Sequence, residues 1–455
     1  MIKHFLDINI LLFFIYLKQC FSYLVFPFKT RISKIKDTEE NITLLLSSIA
    51  DNNIFINLEI GEPKQTIEAF LRIDTNDFYL SEKPSNNTNP NMLDVESDIN
   101  YYFNKNNSTS LDITNISINS YPDGIHLGNI SNDYLYFRNN ENKNFKKRIQ
   151  FILYHSTMRN TPGIIGLQSI DREKDKEYNF IEKLKVNEII ESYYWMINYT
   201  SDNEGDFIIG EQPHIFDPNN YQEEDLYKHQ PFLEDSMFGW GLIFDDITFQ
   251  DKYFRQFHES YFNYEINYIK GIYEFEKELD KYFNNSIQNG ICYKATIQYN
   301  YHPLKIFYCD KEKYKDKVKN FPNLEFFQFD FNFTFVLNYE DLFIEKGNKM
   351  ILMIFFDDDL FDWHLGKPFL RKYSFLMNQD SNIVAFYKRK EKVNDSDNNN
   401  QNNNRILLII LIVICTIILL ILGIFIGKYI FQDKKKHKNI IDEDYDYTSK
   451  NEIIN

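Results

Sequence analysis

The stretch "LRIDTNDFYL", residues 71–80, decides how this chain is read. Three strand-like residues, Leu71, Arg72 and Ile73, run into Asp74-Thr75. Apolar and aromatic residues resume at Phe78, Tyr79 and Leu80. A strand that ends in Asp-Thr and turns at once holds a carboxylate at the rim of a sheet. A glycine in the next position would let backbone approach that carboxylate closely. Here the position holds Asn76, and Asp77 follows. Asn keeps its N–H and tolerates unusual backbone angles. It also brings an amide into space that glycine leaves open.

Around this stretch the chain repeats short apolar and aromatic runs, separated by Asn, Asp, Gly and Pro. Examples are "NIFINLEIG", "LDITNISI", "DYLYF", "IQFILY", "GDFIIG", "ILMIFF" and "NIVAFY". The 42 Phe and 32 Tyr favour strands. Helical periodicity is confined to a few segments, chiefly 175–190, with Phe180, Leu184 and Ile189 near one face, and 272–285. The class is therefore mostly β with few short helices. The 15 Gly in 455 residues are about half of average usage, so tight turns around an active site are scarce.

The two ends set the expected compartment. Residues 1–22 have an early Lys, an apolar run from Ile8 to Leu17 and a polar or small exit near Cys20–Ser22, which is the pattern of a signal peptide. Residues 406–427 are uncharged and long enough to span a bilayer as one C-terminal transmembrane helix. Lys428 and "KKKHK" (434–438) follow, placing the tail at 428–455 in the cytoplasm. The expected product is a single-pass type I membrane protein. Its bulk is extracellular or in the lumen of the secretory or endolysosomal system. "NDSDNNNQNNNR" closes the ectodomain, giving a disordered Asn-rich stalk at 391–405. Of the four cysteines only Cys292 and Cys309 fall in the ectodomain, where an oxidising compartment favours one disulfide. N-x-S/T sequons, at Asn41, Asn198 and Asn332 among others, suit a glycoprotein. A formal net charge of −16 argues against nucleic acid as a partner.

The chemistry-bearing motifs narrow the field. The sequence has no G-x-S-x-G, H-E-x-x-H, P-loop or G-x-G-x-x-G, and its nine His residues, His126 included, do not pair at metal-ligand spacing. No metal and no cofactor are expected. What remains is an ordered series: "GEPKQ" at 61–65, Asp74-Thr75-Asn76, "YPDGIHLG" at 121–128, "GIIGL" at 163–167, the cysteine pair, and "LGKPFLR" at 365–371. In order and spacing these resemble the pepsin-like aspartic proteases, over essentially residues 23–390.

The resemblance implies two β-rich lobes, at 23–225 and 226–390, with a cleft between them for a peptide or protein ligand, and a monomer. It places Asp74 at the first catalytic aspartate, Thr75 beside it, and Tyr121 at the tyrosine of the flap that covers bound substrate. It also assigns Cys292 and Cys309 to the disulfide of the second lobe. In that family two carboxylates share one proton and activate water. The second Asp-Thr-Gly should lie within "ESYFNYEINYIKGIYEFE", residues 259–276, yet no Asp-Thr-Gly occurs there. One register puts Asn263-Tyr264-Glu265 at the motif and another puts Glu265-Ile266-Asn267 there. The family's closing Asp in the last motif is replaced by Lys367. The acidic run "FDDDLFD" (356–362) reads as solvated loop charge. The expectation is a membrane-anchored homologue that has lost catalysis, its cleft kept for binding. The alternative is an active aspartic-type endopeptidase working at acidic pH, with Glu265 as a longer second carboxylate.

Overall fold

The computed structural model describes residues 23–31, 42–82, 102–120, 126–138, 144–154, 163–168, 177–229, 240–254, 258–299, 302–357 and 362–388. The signal-like segment, the stalk, the expected span at 406–427, the tail and Tyr121 lie outside them. Among the described residues no helix is long and apolar enough to cross a membrane.

The aromatic-rich runs form strands, and among the described residues these make sheets of thirteen, eight and four strands. The largest sheet ties the two ends of the folded part together. Leu24–Arg31 runs between Glu204–Ile209 and Asn53–Ile60, antiparallel to both. Beyond Glu204–Ile209 come Tyr194–Tyr199, Phe375–Asn378, Ile383–Tyr387 and Leu226–His229. The closing hairpin of the chain therefore shares a sheet with its first strand. Trp195, Trp240 and Trp363 are fully buried in one continuous core. Both expected helices are present, as Phe180–Val186 and Tyr273–Gln288. The first is shorter than the 175–190 expected: Phe180 and Leu184 are buried on its inner face, while Ile189 is buried beyond its end, after Glu188 takes a positive φ. Cys292 and Cys309 sit opposite each other on antiparallel strands and are joined as a disulfide.

One strand pattern occurs twice, and it positions the site. In the first half, Gln65–Arg72 runs parallel to Gly163–Gly166, and Phe78–Ser81 lies antiparallel on the other side of Gly163–Gly166. Asn144–Tyr154 then pairs parallel with Phe78–Ser81. In the second half, His258–Phe262 runs parallel to Trp363–Leu365, Ile269–Lys270 lies antiparallel on its other side, and Lys349–Phe356 is parallel to Ile269–Lys270. Each half thus has a loop, 73–77 or 263–268, leaving one strand of the set and returning to another.

A glycine supports each loop from below. A Cβ added to Gly166 would lie 2.5 Å from the Thr75 carbonyl oxygen and 2.6 Å from the Asp77 nitrogen. One added to Gly366 would collide with the carbonyls of Tyr268 and Ile266. The scarce glycines are spent where backbone must lie against backbone.

Candidate active site

Sheet register fixes which residue of the second loop corresponds to Asp74. In the first half Leu71 lies opposite Ile165 and Tyr79 opposite Ile164. In the second half Phe262 lies opposite Leu365 and Lys270 opposite His364. The chain from Leu71 to Tyr79 is as long as the chain from Phe262 to Lys270. Asp74-Thr75-Asn76 therefore corresponds to Glu265-Ile266-Asn267. Of the two registers open in the sequence, the sheet selects the second. Asn263 corresponds to Arg72, not to a catalytic carboxylate. It is buried, and its side-chain oxygen accepts the Glu265 N–H at 3.0 Å.

The two loops meet through a residue that the motif search passed over. Arg72 points from the same face of its strand as Asp74, two residues on. Its Nε donates to Asp74 Oδ1 at 3.0 Å, and Nη2 donates to Oδ2 at 2.5 Å. The same Nε lies 2.7 Å from Glu265 Oε1. A guanidinium Nε carries one hydrogen, and Asp74 takes it. Oε1 of Glu265 is thus held by charge and, among the described residues, has no aligned donor.

Electrostatics follows from this geometry. Burial first, then the neighbouring Asp74 charge, pushes the Glu265 carboxyl up to about 7, against the opposing pull of Arg72. The carboxylates in turn hold the Arg72 proton more tightly than usual, despite burial. At neutral pH the cluster is one cation between two acids, one of which is close to its own titration point.

The other side chains of the two loops differ from an Asp-Thr-Gly pattern. Thr75 Oγ1 accepts the Asp77 N–H at 3.3 Å, turned back into its own loop. Its counterpart, Ile266, has no hydroxyl. The Asn76 side-chain oxygen is buried with no protein partner among the described residues. Asn267 spends its amide on the Ile49 carbonyl at 3.0 Å, and its N–H bonds the Ala50 carbonyl at 2.8 Å. Asn52 completes this contact, with its N–H on the Glu265 carbonyl and its side chain on the Tyr264 carbonyl, each at 2.8 Å. The second loop is thereby sewn to the segment that precedes the strand Asn53–Ile60.

One reading of a charged residue needs correction. Asp357 was expected as solvated loop charge, but it is buried and lies 2.6 Å from Lys270 Nζ. A carboxylate leaves water in this way when a cation on the adjacent strand replaces its hydration. Lys367 is buried too. Its Nζ reaches Asn203 Oδ1 at 3.3 Å, and burial lowers it to about 8.

Two loops, each seated on a glycine and each carrying an acid, brought together from two similar strand sets, define a protein built as an aspartic protease is. The family model for eukaryotic aspartyl protease matches residues 53–388. The chain belongs to that family. A search of the curated proteins finds no match.

Proposed function

We propose that this protein is a catalytically silent, membrane-anchored aspartyl protease homologue that uses its cleft to bind an extended peptide or protein segment. The observation that carries this reading is Arg72, whose guanidinium pairs with Asp74 and Glu265 together. A working dyad shares a proton and holds a water between its carboxylates. A permanent cation bonded to Asp74 and ion-paired with Glu265 removes the need for the shared proton and competes with water for the same oxygens. Loss of glycine from both loops, at Asn76 and Asn267, and of one hydroxyl, at Ile266, supports the same conclusion. The anchor, the luminal or extracellular location and the glycans rest on the sequence pattern at 1–22, 406–427 and the sequons.

One observation favours the alternative of an acid endopeptidase. Glu265 occupies the second carboxylate position and binds a proton unusually well. The two readings separate in a cleavage assay of the purified protein on a mixed peptide substrate from acid to neutral pH. The expected result is no turnover above background. Turnover that disappears in Asp74→Ala would refute silence and establish the alternative.

A further inference from the structure

Phe329 is the most exposed large apolar side chain among the described residues, with 70% of its surface in solvent. A lone exposed apolar residue is ordinary, but this one is held on a fixed turn. It opens the tip, residues 329–332, of the hairpin between Leu324–Gln328 and Phe333–Leu337. The Asn332 N–H donates to the Phe329 carbonyl at 2.9 Å and closes the turn. The Phe329 N–H donates to Asp245 Oδ2 at 2.7 Å, and the Phe331 N–H to Gln328 Oε1 at 2.6 Å. The Phe331 ring is buried against Phe335 and Phe386 and anchors the tip to the core. Phe329 itself occupies the first position of the turn, where Asp, Asn or Ser is the usual choice. The backbone there does not call for an aromatic ring.

Across the turn stands Asn332, exposed, with φ at 44°. Asn enters this left-handed region more readily than most side chains. Asn332-Phe333-Thr334 is also an N-x-T sequon. The first and fourth residues of a turn have Cα atoms within about 7 Å of each other. Phe329 and Asn332 are that pair, and both face solvent. The sequon at Asn198 is placed differently. It lies within Tyr194–Tyr199, between two paired strands, and its Oδ1 accepts the Ser374 hydroxyl at 3.0 Å. A glycan on Asn198 would break into the sheet; one on Asn332 would extend into solvent beside an aromatic ring.

We propose that Asn332 carries an N-linked glycan whose first sugar stacks on the Phe329 ring. This rests on the luminal or extracellular placement of the folded part, where the sugar donor is met. In the transfer, the Asn332 amide nitrogen bonds to the anomeric carbon of a lipid-linked sugar pyrophosphate. The lipid pyrophosphate leaves with the electrons of the broken C–O bond, the amide gives up one proton, and nothing is oxidised or reduced. The C–H face of a pyranose is apolar and faintly positive, so it complements the negative face of an aromatic ring. The turn is already fixed by its hydrogen bonds, so stacking has little order left to impose.

The test expresses the full-length chain in a eukaryotic secretory host and maps its glycans by mass spectrometry of its peptides. Asn332 should be occupied. A bare Asn332 on a chain that carries glycans at other sequons would overturn the proposal alone. A chain with no glycan at any sequon would overturn the luminal placement and the proposal with it. Thr334→Val removes the sequon while keeping Asn332 and a β-branched strand residue. Thermal unfolding of wild type, Thr334→Val, Phe329→Ala and the double variant then reads the stacking. Thr334→Val should lower the midpoint by about 2 °C more in the wild-type background than in the Phe329→Ala background. Equal effects in both backgrounds would show that ring and sugar are independent and would overturn the proposal.

Discussion

Replacing Arg72 by Met removes the one cation between Asp74 and Glu265 while keeping a long apolar stem. Breaking a buried ion pair costs about 3–5 kcal/mol when it strands a charge. The Arg72 side chain keeps 33% of its surface in solvent, so the cost here is discounted to about 2–3 kcal/mol. That cost depends on pH, and its sign is fixed. With Arg72 gone, Glu265 loses the influence that held its carboxyl down, and its folded value rises above about 7. The folded variant then keeps a proton through a range where the unfolded chain has released it, so stability goes on falling as pH rises past neutrality. At pH ~8 two facing carboxylates lack a counter-ion and the full loss is felt; at pH ~5 Glu265 is protonated and the loss shrinks to about 1 kcal/mol. Urea unfolding of wild type and Arg72→Met at these two pH values measures the difference. Adding Glu265→Gln to Arg72→Met should abolish its pH dependence. An equal loss at both pH values, or a larger one in acid, would show that Glu265 does not depend on Arg72.

Other expectations concern the frame of the site. Replacing both Cys292 and Cys309 by Ala should lower stability by about 3 kcal/mol, the usual worth of closing a loop of this length, and chemical unfolding of the pair variant reads it directly. Gly366→Ala should cost about 2–3 kcal/mol or more, because its Cβ meets backbone carbonyls that cannot step aside; a midpoint unchanged from wild type would contradict the seating of the second loop. Trp240→Phe removes the donor to the Leu167 carbonyl at 2.7 Å and should cost about 1–3 kcal/mol beyond the loss of ring area, measured by thermal unfolding.

The first loop was legible because it is local. Asp-Thr at the end of a strand and "GIIGL" nearly a hundred residues later are short patterns, and each survives in recognisable form. The second loop had no glycine or Asp to mark it, so its register stayed open until Phe262 and Lys270 were fixed against Leu365 and His364. Arg72 was passed over as an ordinary strand residue. A signal was present, since a strand residue two before a rim carboxylate must share its face. What it lacked was any hint that Glu265 would arrive on the other side. The burial of Asp357 was illegible for the same reason: its partner Lys270 precedes it by more than eighty residues and meets it only through strand pairing. Local pattern thus reveals where backbone must turn. It does not reveal which charges the finished sheets bring face to face.

Those charges give the protein two acid responses of opposite sign. Glu265 has a folded value of about 7 against an ordinary 4.5, so the native chain gains up to about 3 kcal/mol as pH falls through that window. His364 is lowered by burial and by Lys270 to about 3 from an ordinary 6.5, despite Asp357. There the unfolded chain takes up the proton first, so stability is lost as pH falls from 6.5 towards 3, by up to about 5 kcal/mol. Between 6.5 and 4.5 the two slopes oppose and nearly cancel; below 4.5 only the histidine loss remains, of about 2 kcal/mol. These two contributions together nearly cancel through mild acid and leave a net loss beyond it. Urea midpoints against pH separate the contributions, since charges common to all variants drop out of the differences. Glu265→Gln should expose a continuous loss on acidification, and His364→Ile should expose a gain down to about pH 4.5. If both variants tilt the profile the same way, at least one of these side chains does not sit in the electrostatic setting that its neighbours impose.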